Sequence, residues 1–194
     1  MKKIGITGGI GTGKSTVCEI FKVLGVPVFN SDLESKNILN TDSELKNNLI
    51  EQFGNQIYMH NGLLNKALFG FKIFNDKNKL KLANSIIHPA VKKQFQQWCK
   101  NYYQNKYILK EAAILFESGA HKQLDAVIAV STPENIRIKR IMQRDNTTEE
   151  EIRARISKQW SQEKVNKMAD YVIQNDGINL LLPQVFKLHE LFNN

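Results

Sequence analysis

Gly8-Gly9-Ile10-Gly11-Thr12-Gly13-Lys14-Ser15 is the stretch on which the fold turns. It fits the spacing G-x-x-x-x-G-K-[ST]. An apolar segment, Lys3–Thr7, precedes it, and an amphipathic one from about Lys14 to Leu24 follows. Strand, glycine turn and helix in that order make an anion cradle. Glycines let the backbone turn tightly and aim its N–H groups at anionic oxygens, and the helix N-terminus adds a favourable dipole. Gly11, Thr12, Gly13, Lys14, Ser15 and Thr16 are therefore candidate phosphate contacts. Lys14 is expected to reach the β- and γ-phosphates of a bound nucleotide as a point charge. The Ser15 hydroxyl is expected to ligate Mg²⁺.

Outward from this motif, short apolar runs alternate with longer amphipathic stretches. Strands are expected at Val26–Phe29, Tyr107–Ala113, Asp125–Ser131 and Tyr171–Gln174. Helices are expected over Ser31 to about Phe53 with a break near Asn40–Asp42, over Lys66–Phe74, and over Asn78–Tyr103 with an interruption at His88-Pro89. Phe95, Trp98 and Tyr102 recur at helical spacing and read as core. Further helices run from Pro133 to about Arg144, from Thr148 to about Trp160, and from Ile178 to Phe192. Thr148, with Glu151 three residues on, is a capping-box signature. Strands separated by helices imply an α/β fold, a parallel sheet flanked by helices. The expected organisation is one domain: a core of about 1–32, 104–133 and 169–194, with helical inserts of about 33–103 and 134–168.

The chain has 194 residues, 42% of them hydrophobic and 24% charged, which is a globular composition. Its net charge of +8 implies anionic company. No contiguous basic block or aromatic–basic interleaving points to nucleic acid, and no apolar run nears the roughly 18 residues of a membrane span. Two cysteines, Cys18 and Cys99, stand far apart, which argues against a disulfide scaffold or a cysteine zinc site. The expectation is a cytoplasmic protein of small-molecule substrates, with no membrane or nucleic-acid partner. GTPases carry D-x-x-G and N-K-x-D. The first is absent and Asn166-Lys167-Met168-Ala169-Asp170 misses the second by one residue. No strand ends in Asp-Glu as in motor ATPases. A small-molecule kinase is the leading class.

The ordered set of motifs resembles the dephospho-coenzyme A kinase family along nearly the whole chain. Ile4–Thr16 is similar to the family's opening, and Leu24–Asp32 to its second strand with the acidic motif after it. Ile87-His88-Pro89, Glu111–Glu117, the arginines at 137, 140 and 144 with Gln159, and Ala169–Ile173 with Asn175 match later signatures. The resemblance implies ATP and Mg²⁺, a P-loop kinase core, a substrate-binding role for about 33–103 and a lid at about 134–168. The acceptor it implies is the ribose 3′-hydroxyl of dephospho-coenzyme A. It departs where Asn30-Ser31-Asp32 replaces Asp-Ala-Asp, where Asn65-Lys66 replaces an arginine, and at Ala113 in place of proline.

Each remaining candidate has two readings. Asp32 follows a strand, where it could orient the attacking hydroxyl or cap the next helix; the resemblance favours a catalytic role. Glu111 reads as a water-mediated Mg²⁺ ligand or as an ion-pair partner. Arg137, Arg140 and Arg144 share a helical face, either a solvated stripe or a phosphate grip; Arg140 is the best nucleotide contact and Arg144 the next. His88 reads as a local cap or a substrate contact, and Glu117 as a cap or a residue near the substrate pocket.

Overall fold

A strand buried on both faces needs a near-continuous apolar run. Lys2–Thr7 (β1) supplies one, with Ile4 and Ile6 almost fully buried. The computed structural model describes residues 1–194 and sets β1 at the centre of a five-stranded sheet. The other strands are Val28–Asn30 (β2), Tyr107–Glu111 (β3), Ala126–Ser131 (β4) and Tyr171–Gln174 (β5). All pairs are parallel, in the order β2-β3-β1-β4-β5.

Helices cover both faces. Lys14–Val23 (α1) and Leu181–Asn193 (α9) bury Val17, Phe21, Val185 and Leu188 against Ile4, Ile6, Ile128 and Ile173. On the other face, Val165 from Gln162–Met168 (α8) joins Leu115, Phe116, Val127 and Ala129. Each fully buried Ile or Phe contributes about 1.5–3 kcal/mol. Glu134–Asp145 (α6) and Glu149–Ile156 (α7) share a smaller cluster of Ile138, Ile141 and Ile152, with Ile10 and Ile156 at its rim. The capping box holds: the Thr148 hydroxyl accepts from the Glu151 N–H, and the Glu151 carboxylate is held low in pKa by the Thr147 hydroxyl and then the Thr148 backbone. All five strands end at one edge, where ligands of open α/β sheets sit.

The chain divides into two compact units, Met1–Asn30 with Tyr102–Asn194, and Ser31–Asn101. The second is all helical: Ser31–Thr41 (α2), Ser43–Phe53 (α3), Lys66–Phe74 (α4) and Lys77–Lys100 (α5). Asp42, Asn65 and Asp76 cap the last three with their side chains. Asn65 thus has a local task, accepting from the Leu68 N–H at 3.1 Å. Leu49, Phe53, Ile57, Phe69 and Ala83 form this unit's core, with Phe53 and Phe69 edge to face at 5.4 Å.

Several boundaries differ from the sequence expectation. α5 runs unbroken through Pro89. Proline removes one helical hydrogen bond, but Ile86, Ile87, Ala90 and Val91 on either side all pack on the unit's core, and that packing overrides the local defect. α7 ends at Ile156, and a separate helix, α8, starts after the Ser161 cap. α9 begins at Leu181 because Asp176 accepts from the N–H groups of Ile178 and Asn179, making a turn there.

Candidate active site

The phosphate loop joins β1 to α1. Its shape is imposed by side chains that address its carbonyls. The Thr12 carbonyl accepts from Asn175 Nδ2 at 2.8 Å and lies 3.0 Å from the Thr132 hydroxyl. A trans peptide points its carbonyl and its N–H in opposite directions, so holding Thr12 O against Asn175 turns the Gly13 N–H the other way. Gly13 has φ of 83°. A Cβ there would lie 2.2 Å from Asn175 Nδ2, so both conformation and space require glycine. The Thr12 hydroxyl donates back to the Gly9 carbonyl at 2.9 Å, and Thr12 is fully buried. Thr12 is therefore a brace within the loop, whereas Ser15 and Thr16 at the start of α1 are exposed. Lys14 opens α1 and is half-buried.

Arg140 of α6 donates from Nη2 to Asn175 Oδ1 at 3.2 Å, and its Nη1 is buried with no hydrogen-bond partner. That atom stands 3.7 Å from where a Gly13 Cβ would be. A buried guanidinium donor without an acceptor, beside the loop, is placed for an anion. Arg137 is 4% exposed and donates from Nε to the Ile10 carbonyl at 2.8 Å. Burial holds its pKa below the ordinary value, and Glu134 partly offsets this. Arg144 does not share that environment. It is exposed and forked onto Asp145 at 2.6 and 3.0 Å. One helical face thus carries three arginines in three settings, and the common spacing did not distinguish them.

At the ends of β2 and β3, Asn30 and Glu111 are register partners, and Asn30 Nδ2 donates to Glu111 Oε2 at 2.7 Å. The buried Cys18 thiol is pushed far up, first by burial and then by the Glu111 charge, with Lys14 pulling the other way. Glu111 and Lys14 therefore both act electrostatically on the start of α1. No three His, Cys, Asp or Glu side chains cluster as a metal site. Glu117 accepts from the Trp160 backbone N–H at 3.3 Å, tying the segment after β3 to the one before α8. In the helical unit, Asp32 lies in the first turn of α2, one residue after Ser31 starts it, so it is not the cap. His88 is half-buried in the middle of α5 and is not a cap either.

Residues 2–180 match the family model described as dephospho-CoA kinase. The chain belongs to the dephospho-CoA kinase family. A dephospho-CoA kinase of Bacteroides fragilis is 41% identical over 186 residues, covering 96% of this chain and 90% of that protein. A crystal structure from Thermus thermophilus superposes with a TM-score of 0.85 at 29% identity, covering 98% of this chain and 96% of that one. A dephospho-CoA kinase from Campylobacter jejuni gives 0.71 at 26% identity with the same coverage. The fold is that of P-loop kinases, and ATP is the co-substrate of a dephospho-CoA kinase. Sequence reasoning singled out the loop itself and Arg140. It gave no role to Thr132, Gln159 or Asn175, and it read Arg137 as part of a solvated stripe or a phosphate grip, whereas all four hold loop backbone groups at least 120 residues away in the chain.

Proposed function

We propose that the phosphate loop, Lys14 and Arg140 bind the ATP phosphates in this chain while Asp32 serves the acceptor. The reaction is that of dephospho-CoA kinases, the last step of coenzyme A synthesis: the γ-phosphoryl of ATP passes to the ribose 3′-hydroxyl of dephospho-coenzyme A, giving coenzyme A and ADP. One observation carries the residue assignment: the loop is braced by Asn175 and Thr132, while Arg140 Nη1 stands buried and unsatisfied beside Gly13.

Phosphoryl transfer goes through a loose transition state, so the protein's work is positioning and charge stabilisation. The 3′-oxygen forms a bond to γ-phosphorus as the bond to the β–γ bridging oxygen breaks. The hydroxyl proton leaves late, to Asp32, which first orients the hydroxyl. Lys14 and Arg140 offset charge spreading over the phosphoryl oxygens and the leaving ADP. Gly11, Gly13 and the N–H groups opening α1, Ser15 and Thr16 included, complete the cradle.

Mg²⁺ belongs to the same proposal. The donors present suit a hard cation brought by the nucleotide: one exposed hydroxyl, Ser15, and one carboxylate, Glu111, acting through water. When bound, the ion supplies charge neutralisation between the phosphates. Arg144 joins by exchanging Asp145 for a phosphate oxygen. His88 contacts the acceptor directly, and Glu117 serves that side indirectly through Trp160. α6 is held to the loop by Arg137, and α8 to β4 through Gln162 and Asn166. The segment around Gln159 and Trp160 is held as well, so the lid proposed for about 134–168 narrows to α7 and the turn before it. A cytoplasmic setting fits two buried cysteines that form no disulfide.

The test is an assay with ATP and dephospho-coenzyme A beside AMP, GMP and CMP. Phosphorylation of dephospho-coenzyme A alone is expected. Faster turnover of a nucleoside monophosphate would reassign the acceptor.

A further inference from the structure

The tip of the phosphate loop is gripped from outside by two side chains that the reaction scheme does not use. Gln159 Oε1 accepts from the Ile10 N–H at 3.0 Å. Arg137 Nε donates to the Ile10 carbonyl at 2.8 Å. The two bonds fix successive peptide planes, Gly9–Ile10 and Ile10–Gly11. Because the second plane is a trans peptide, holding its carbonyl on Arg137 points the Gly11 N–H the opposite way. Gly9 records how closely the grip sits. A Cβ there would lie 2.5 Å from Arg137 Nη2 and 2.9 Å from Gln159 Oε1. Any side chain at position 9 would push both partners away.

From this geometry we propose that Arg137 and Gln159 are positioning residues for phosphoryl transfer. They set the orientation of the Gly11 N–H, and through Gln159 they link the loop's shape to the segment between α7 and α8. Their effect reaches the phosphates only through the Ile10 backbone. Arg137 acts through its Nε, which is already spent on a carbonyl, unlike Arg140, whose Nη1 has no protein acceptor. Gln159 is followed directly by Trp160, whose backbone N–H is held by Glu117 and whose ring stacks on Phe116 at 6.5 Å between centroids. The acceptor that holds Ile10 is thus itself anchored to the segment after β3, which gives the grip a fixed reference.

The proposal rests on the loop's binding ATP phosphates, and the experiment separates the two. Gln159→Met keeps length and volume but removes the acceptor. Arg137→Lys keeps charge but loses the Nε–H donor held in the guanidinium plane. Wild type, both single variants and the double variant are measured for kcat, KM for each substrate, ADP affinity, melting temperature and exchange of the Ile10 amide proton. Gln159→Met is expected to expose the Ile10 amide to faster exchange and to lower kcat/KM for ATP about tenfold, below the roughly hundredfold that a misplacement of about 1 Å can cost. Its melting temperature and its KM for dephospho-coenzyme A should stay at wild-type values. Because both residues hold one backbone unit, the double variant should lose less than the product of the single losses. Should Gln159→Met keep wild-type kcat/KM, or should the two losses multiply, the positioning role is overturned. Failure of the wild type itself to bind ADP would instead overturn the reading of the loop.

Discussion

The helical unit of residues 31–101 and the phosphate loop are held by opposite means. In the helical unit the core is side chain on side chain: Leu49, Phe53, Ile57 and Phe69 exclude water, and the backbone is satisfied within the helices and, at their ends, by nearby caps such as Asp42, Asn65 and Asp76. In the loop side chains meet backbone. Asn175, Thr132, Arg137 and Gln159, all distant in sequence, address the peptide groups of Ile10 and Thr12. A defect in the first kind of region should appear as lost stability, and one in the second as lost rate. The comparison is open to attack at four positions.

The largest effect is expected at Lys14. It opens α1, half-buried, and in the proposed site its charge offsets phosphate charge that grows in the transition state. Lys14→Ala should lower kcat by roughly a thousandfold, about 4 kcal/mol of barrier, with the melting temperature moved by only a few degrees. Near-normal turnover in purified Lys14→Ala would break the contrast at its strongest point. Leu49→Ala tests the other side. Leu49 is fully buried in the helical core, and a large-to-small change there costs about 3 kcal/mol. In a chain of this length that lowers the melting temperature by roughly 6–12 °C. Turnover per folded molecule should stay near wild type. Lost turnover without lost stability would mean that this core positions chemistry.

Asp32 sharpens the comparison because it belongs to the helical unit yet is assigned to chemistry. In the first turn of α2 its carboxylate gains about 0.3–1 kcal/mol from the helix dipole, so Asp32→Asn should melt within a few degrees of wild type. Turnover should fall roughly a hundredfold, the usual scale for a positioned acid or base. If the variant instead melts early and keeps its rate, Asp32 is a helix residue and no more.

These expectations track what sequence reading can reach. The loop was legible because its demands fall on backbone conformation: Gly13 is required at φ of 83° with Asn175 only 2.2 Å from any Cβ, and only glycine answers that. The strands were legible because a parallel sheet buried on both faces leaves near-continuous apolar runs. Pro89 misled because local propensity is weak against packing on both sides. Asn175 and Gln159 stayed without roles because a side-chain amide bonded to a backbone group more than 140 residues away leaves no periodic trace. Asn30 looked like a lost carboxylate. The structure makes it a donor to Glu111, a partnership visible only once β2 and β3 are in register.

Arg144 carries the smallest expected effect and separates two accounts of the same face of α6. Its guanidinium is forked onto Asp145 and holds that carboxyl below the ordinary range, chiefly through the hydrogen bond. A depressed carboxylate pKa means stabilisation that is present above the unfolded value and lost as pH falls through the folded one. Both side chains are solvent-accessible, so Arg144→Ala should lower the melting temperature by about 2 °C or less at neutral pH. That difference should shrink in high salt and fade as pH falls below about 4, the ordinary aspartate value. In the proposed site Arg144 reaches a phosphate only by leaving Asp145, so much of what the new contact gains is offset by the old one lost. KM for ATP should therefore rise only about threefold in Arg144→Ala, with kcat unchanged, as expected for a contact made equally in ground and transition states. Asp145→Asn should do the reverse and lower KM, since it releases the arginine without removing it. An unchanged KM in both variants would make Arg144–Asp145 a surface pair, leaving the nucleotide to Lys14 and Arg140 and ending the phosphate-facing stretch of α6 at Arg140.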